Sequence, residues 1–157
     1  MNIKFKKIGM RNIKTAIAVC ISILISEILN MEYPFYAAIA SVISMQGSVE
    51  GSLKAGKNRM VGTSIGAFVG FIFSSIMPGN ILFIGIGIVC VIYLCNLFNI
   101  KEASSIGCIV FCAIMINLKE SNPLFYSINR LLDTFVGIIV SIVVNYCITP
   151  PKDKQKC

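Results

Sequence analysis

The sequence predicts an all-α chain, an integral membrane six-helix bundle made of two inverted three-helix repeats. Three observations carry this expectation. Only 13% of the 157 residues are charged and 56% are hydrophobic, whereas a soluble domain carries about 25% and about 45–50%. A soluble fold needs polar surface on every side, and this chain has too little of it; lipid can cover the rest. No charged residue occurs from Met60 to Ile100, a stretch about twice the roughly 20 residues that cross a hydrocarbon core. Finally, the pattern N-R-x-x-[GD]-T-x-x-G occurs twice, as NRMVGTSIG from Asn58 to Gly66 and as NRLLDTFVG from Asn129 to Gly137.

Each element follows in order. Lys4, Lys6, Lys7, Arg11 and Lys14 precede an apolar run from Thr15 to Leu29. No small-x-small cleavage site follows and further spans do, so the run reads as an uncleaved first span, 15–29. Asn30 to Tyr33 form a turn, and Pro34 opens span two, 34–48, since proline suits a first helical turn. The polar, basic segment 49–60 reads as a helical lead-in to span three, 60–77. Pro78-Gly79-Asn80 is a turn signal before span four, 81–98. Lys101-Glu102 separates it from span five, 103–118. Lys119 to Pro123 form a loop before span six, 128–149, which Pro150-Pro151 ends. The expected organisation is one transmembrane domain over 1–157 with no C-terminal cytoplasmic domain.

The two N-R motifs lie 71 residues apart. The same offset carries span two onto span five, both short, and span one onto most of span four. A three-span unit is odd, so the second copy must insert from the opposite side, an arrangement found in transporters. A cytoplasmic N-terminus places all of the 14 Lys and Arg residues except Lys119 and Arg130 on the inner side. This positive-inside bias puts both termini in the cytoplasm. Arg59 is then expected at the inner end of span three and Arg130 at the outer end of span six.

Several functions are excluded. The net charge of +7 lies in short segments between apolar runs, as topology demands, and does not indicate nucleic acid. The chain has no His, hence no usual proton-transfer base or commonest metal ligand. It has no P-loop. The seven Cys include no CxxC pair; Cys108 and Cys112 share a helix face and read as packing residues rather than a metal site. No enzyme, cofactor or metal is expected.

Ionisable groups within spans are costly and therefore candidates for function. Asp133 lies one turn inside span six, where Arg130 is its expected partner three residues away. Arg130 itself reads either as that pair snorkelling to the outer headgroups or as a cationic point at a pathway mouth. Glu27 is expected to reach the interface. Arg59, Arg130, Asn58, Asn129, Thr63, Thr134, Asp133, Gln46 and Asn145 are the candidate pathway residues, although the uncharged ones could equally hydrogen-bond between helices. Gly62, Gly66 and Gly70, followed by Ser74, form a close-packing stripe whose partner helix is not readable.

The stretch from Tyr33 to Gly70 resembles the aromatic acid exporter family, grouped with the fusaric acid resistance (FUSC-type) proteins. The carrying residues are Lys14-Thr15-Ala16, Tyr33-Pro34, Ser44-x-Gln46, Ser52-Leu53 and Asn58-Arg59-x-x-Gly62-Thr63-x-x-Gly66. Arg130-x-x-Asp133-Thr134-x-x-Gly137 and Asn145 resemble the family's final span. Gly47-Ser48 stands where relatives often have a Pro. The resemblance implies a six-helix domain in the cytoplasmic membrane and export of aromatic carboxylates. Relatives usually continue into a cytoplasmic C-terminal domain. Distant plant relatives are dimeric anion channels, which implies anionic cargo and makes a homodimer a candidate assembly.

The expected function is thus a multi-pass carrier exporting small organic anions, with the lipid bilayer and the anion as its partners. Two alternatives are a passive anion channel and a non-transporting membrane subunit of a larger complex.

Overall fold

Pro34, Ser48, Asn80 and Pro123 each introduce a helix. The computed structural model describes residues 9–117 and 123–148. In chain order its helices are α1 (Met10–Ile28), α2 (Pro34–Ser44), α3 (Val49–Ile76), α4 (Ile81–Leu97), α5 (Ser104–Asn117) and α6 (Pro123–Cys147), with a 3-10 turn at Lys101–Ala103. No strand occurs among the described residues, and the chain is all-α.

Local chemistry sets the boundaries. Pro34 supplies a preset φ and lacks an N–H that the first turn would leave unpaired anyway. Ser48 caps α3 by accepting the Gly51 N–H at 3.0 Å, with Glu50 in the first turn against the helix dipole. Asn80 caps α4 by accepting from Leu82 N at 3.0 Å. The helices α1 and α4 close alike. Asn30 and Asn99 take left-handed φ values of 51° and 57°. Met31 N then donates to the Ser26 carbonyl and Ile100 N to the Cys95 carbonyl, both at 2.9 Å.

Four boundaries differ from the sequence reading, the first being α1, which starts at Met10 rather than 15. The second helix stops at Ser44 rather than 48, because Gln46, Ser48 and Ser52 are drawn into side-chain hydrogen bonds that turn the chain (below). The third helix starts at Val49, so the lead-in and the span are one 28-residue helix. The sixth starts at Pro123 rather than 128. Lys4, Lys6, Lys7, the Lys119–Asn122 segment, the Asn117 side chain, Pro150-Pro151, the basic tail and Cys157 lie outside the described residues.

Both α3 and α6 are long and apolar enough to cross a membrane. At about 1.5 Å per residue, α1 and α4 reach nearly as far, whereas the 11 residues of α2 reach about half a hydrocarbon core. Amphipathicity is inside out. On α1, Lys14, Ala18, Ser22 and Ser26 are buried while Ile13, Ile17, Ile21, Leu24 and Ile28 are exposed. A soluble helix shows the reverse.

Packing repeats with the 71-residue offset. The central α3 and α6 pack on each other. Helix α2 lies chiefly on α6 and α5 chiefly on α3, so each short helix serves the long helix of the other half. Helix α1 packs on α2 and α6, and α4 on α5 and α3. The glycine stripe is used within the chain: Gly62 faces the Ala103 carbonyl, Gly66 the Gly107 carbonyl and Gly70 the Ile114 side chain, all from the α5 side. Correspondingly, Gly137 on α6 faces the Ala37 carbonyl of α2. The two sides of the bundle differ in chemistry. Around α4 and α5 the interior is apolar, with Val69, Val91, Cys95, Phe111 and Met115. Around α1, α2 and α6 it holds Ser22, Ser26, Ser41, Ser44 and Ser141.

Candidate functional site

The long helices carry both motif arginines into the interior. Arg59 is the eleventh residue of α3 and Arg130 the eighth of α6, each within about one and a half turns of its helix's middle. Their exposures are 7% and 5%. The sequence reading set them at opposite ends; instead, the added turns at 49–59 and 123–127 draw each one inward. The guanidinium groups are close enough to repel each other.

Arg130 has a partner the sequence did not suggest. Its guanidinium carbon stands 3.2 Å from the centroid of the Tyr36 ring, a cation–π contact. The Tyr36 and Tyr126 hydroxyls are 2.9 Å apart. Tyr33 meets Tyr126 edge-on, with ring centroids 5.2 Å apart, and lies 5.8 Å from Tyr36. Three tyrosine rings thus gather beside one buried cation.

The expected Arg130–Asp133 ion pair is not formed. Asp133 is fully buried, and neither carboxylate oxygen has a hydrogen-bond partner among the described residues. Its electrostatic neighbours are Arg130 and Glu32. The guanidinium is held over Tyr36 rather than delivered to the carboxylate, and at 5% exposure Arg130 does not snorkel. The Nε atoms of both arginines and the Thr63 hydroxyl are likewise buried without a hydrogen-bond partner among the described residues. Thr134 is buried on the same face of α6.

The motif asparagines point elsewhere. Asn58 donates to Glu102, and Asn129 donates to Glu32 at 3.3 Å. Each asparagine therefore ties its long helix to an acidic residue just before the other half's short helix, while the next residue, arginine, turns inward. A cleft of about 490 Å³ lies over the first tie, among Lys54, Lys57, Asn58, Lys101 and Glu102. A second, of about 350 Å³, lies over the other tie, among Asn30, Glu32, Phe125 and Asn129. The Lys54–Glu102 ion pair at 3.5 Å is exposed and adds little stability.

Gln46 and Asn145 belong to a bracing node. Asn145 Nδ2 donates to the Gln46 carbonyl at 3.1 Å, the Ser48 carbonyl at 3.0 Å and Ser52 Oγ at 2.8 Å. Its Oδ1 accepts from Lys14 Nζ at 3.0 Å, and Lys14 is only 3% exposed. Gln46 N donates to Ser52 Oγ at 2.9 Å. These bonds satisfy the backbone where α2 breaks before α3, as buried peptide groups require.

Sequence reasoning missed Lys14, Tyr33, Tyr36 and Tyr126. Lys14 looked like a topological charge, yet its spacing of four from Ala18, Ser22 and Ser26 marks the buried face. Tyr126 fell before the expected start of span six, and the tyrosine cluster has no one-dimensional signal. Among the described residues no group of three or more His, Cys, Asp or Glu could hold a metal. The six described cysteines are free.

Residues 6–148 match the family model described as aromatic acid exporter family member 1. Similar proteins include a UPF0421 protein of Staphylococcus saprophyticus, 29% identical over 148 residues, which cover 94% of this chain and 44% of the relative. The UPF0421 protein YgaE of Bacillus subtilis is 26% identical over 150 residues, covering 96% of this chain and 42% of the relative. A UPF0421 protein of Bacillus thuringiensis is 28% identical over 148 residues, covering 94% and 41%. The chain spans less than half the length of these curated relatives. No solved structure matches it.

Proposed function

The chain belongs to the aromatic acid exporter family, a premise from which we propose that it moves small organic anions, above all aromatic carboxylates, outward across the cytoplasmic membrane. In this reading all six helices lie within the membrane as one domain, both termini are cytoplasmic, and the second three helices are threaded upside down relative to the first. The 71-residue correspondence of helices, glycine contacts and asparagine ties supports that inversion. Charged cofactors and enzymatic steps have no part in it.

One observation carries the anion assignment. Two buried arginines, Arg59 and Arg130, carry like charge that acts between them, and among the described residues no carboxylate is hydrogen-bonded to either. Guanidinium groups away from water need an anion, and a planar carboxylate matches their donor fork. The Tyr33–Tyr36–Tyr126 cluster offers an aromatic substrate ring edges and faces to pack on. Thr63 and Thr134 line the same interior, while Asn58, Asn129, Gln46 and Asn145 brace it. The Lys54, Lys57 and Lys101 cleft would gather anions before they enter.

Liposomes containing the purified chain and loaded with labelled benzoate test this reading. Benzoate should leave faster than from protein-free liposomes, and Arg59→Gln should remove the difference. Equal loss with and without the protein refutes the assignment.

A further inference from the structure

Asp133 is left unexplained by an anion site. Its carboxyl is fully buried, neither oxygen is hydrogen-bonded among the described residues, and Arg130, whose charge acts on it, lies over an aromatic ring. A buried carboxyl without a hydrogen-bond donor, and with its nearby counter-charge held on a ring, is a group that can exchange a proton.

We propose that Asp133 is a proton-binding site that controls the anion site, so that the proton and the anion bind together. This rests on the preceding reading of Arg59 and Arg130. With the proton on a carboxyl oxygen, Arg130 is free to stay on Tyr36 and face an incoming anion. When the proton returns to solvent, the carboxylate lies three residues from Arg130 on the same helix, where the two side chains can reach each other. It then draws the guanidinium away and competes with the substrate. Asp133 is thus an internal anion displaced by the external one.

The charged and titratable surroundings allow this. From α6 come Arg130 and Tyr126, and from α2 Tyr36. Glu32 adds negative charge from the turn before α2. From α3 comes Arg59, whose positive charge is like that of Arg130 and repelled by it. Helix α1 brings Lys14, which is bonded to Asn145, and Glu27, which is exposed. The titratable groups of α5 are Cys108 and Cys112, which pack in the apolar cluster with α4.

Calorimetric binding of benzenesulfonate, an anion at every pH used, to the chain in lipid nanodiscs tests the proposal. From pH 5 to pH 8 affinity should become pH-dependent, weakening about tenfold per unit at the alkaline end, as one linked proton requires. Asp133→Asn should keep the low-pH affinity throughout, and Glu32→Gln should keep a slope. Repeating the wild-type titration in buffers of different ionisation enthalpy should show close to one proton taken up per anion at pH 8, which needs no variant to fold. Binding that is strong and flat with pH, or a slope that survives Asp133→Asn, overturns the proton site while leaving the anion site standing. No binding at any pH overturns both.

Discussion

Arg130 and Tyr36 show how one contact redirects a residue. With its guanidinium over the ring, Arg130 keeps its charge off Asp133 and available to a ligand. Such a contact contributes about 0.5–2 kcal/mol. Tyr36→Leu should therefore weaken benzenesulfonate binding by up to about thirtyfold in the same calorimetric assay, while Tyr36→Phe should stay near wild type. Lys14 and Asn145 pose a separate question, that of stability. Lys14→Met leaves Asn145 Oδ1 alone and should cost about 1–3 kcal/mol. Asn145→Leu strands the ammonium and the Gln46 and Ser48 carbonyls together, so it should cost more. Thermal unfolding in detergent measures both, and the double variant should lose less than the sum of the singles.

Helix contact is governed by glycine on both sides of the bundle. A Cβ at Gly66 would meet the Gly107 carbonyl, and one at Gly137 the Ala37 carbonyl. Backbone cannot step aside as a flexible side chain can. Gly66→Val and Gly137→Val should each lower stability by about 1–3 kcal/mol. Gly85, on α4, has nothing within 4 Å of a built Cβ, so Gly85→Ala should melt no lower than wild type, since alanine favours the helix. Equal losses at all three sites would contradict the crossed pairing of short and long helices. The break between α2 and α3 is also an element-scale feature. Its residues read as span in the sequence because Ser44 to Ser48 carry no charge; Ser48 and Ser52 turn the chain locally, and Asn145, nearly a hundred residues away, holds the Gln46 and Ser48 carbonyls there.

At the scale of the molecule, polar and charged side chains are buried around α1, α2, α3 and α6, while large apolar ones face outward among the described residues. Ile28, Phe35, Phe68, Ile81, Leu82 and Tyr146 are all more than 60% exposed, the arrangement expected of a protein dissolved in lipid. The proposed threading predicts sidedness. In a cysteine-free background, Asn80→Cys and Ser121→Cys should react with an impermeant maleimide from outside the cell, and Lys101→Cys only after the membrane is opened. Labelling of Ser121→Cys from the cytoplasmic side alone would rule out the inverted arrangement. The positive-inside bias tolerates the correction at Arg59 and Lys14. Both leave the inner count because they are buried, and the exposed Lys54, Lys57 and Lys101 still lie on the proposed inner side.

Composition and charge spacing by themselves determined that this is an all-α protein, where α2, α4 and α5 begin, and that Arg59 and Arg130 occupy the same position of a motif that occurs twice. Those properties follow from local sums: hydropathy over a window, a proline or a capping residue at a helix start, a motif at a constant offset. The tertiary structure alone decided that the two arginines approach each other, that Arg130 lies on Tyr36 rather than pairing with Asp133, and that Lys14 is buried on Asn145. Each of these depends on which short helix docks against which long one. That choice is made by glycine and carbonyl surfaces meeting across the two halves, and no window along the chain contains both partners.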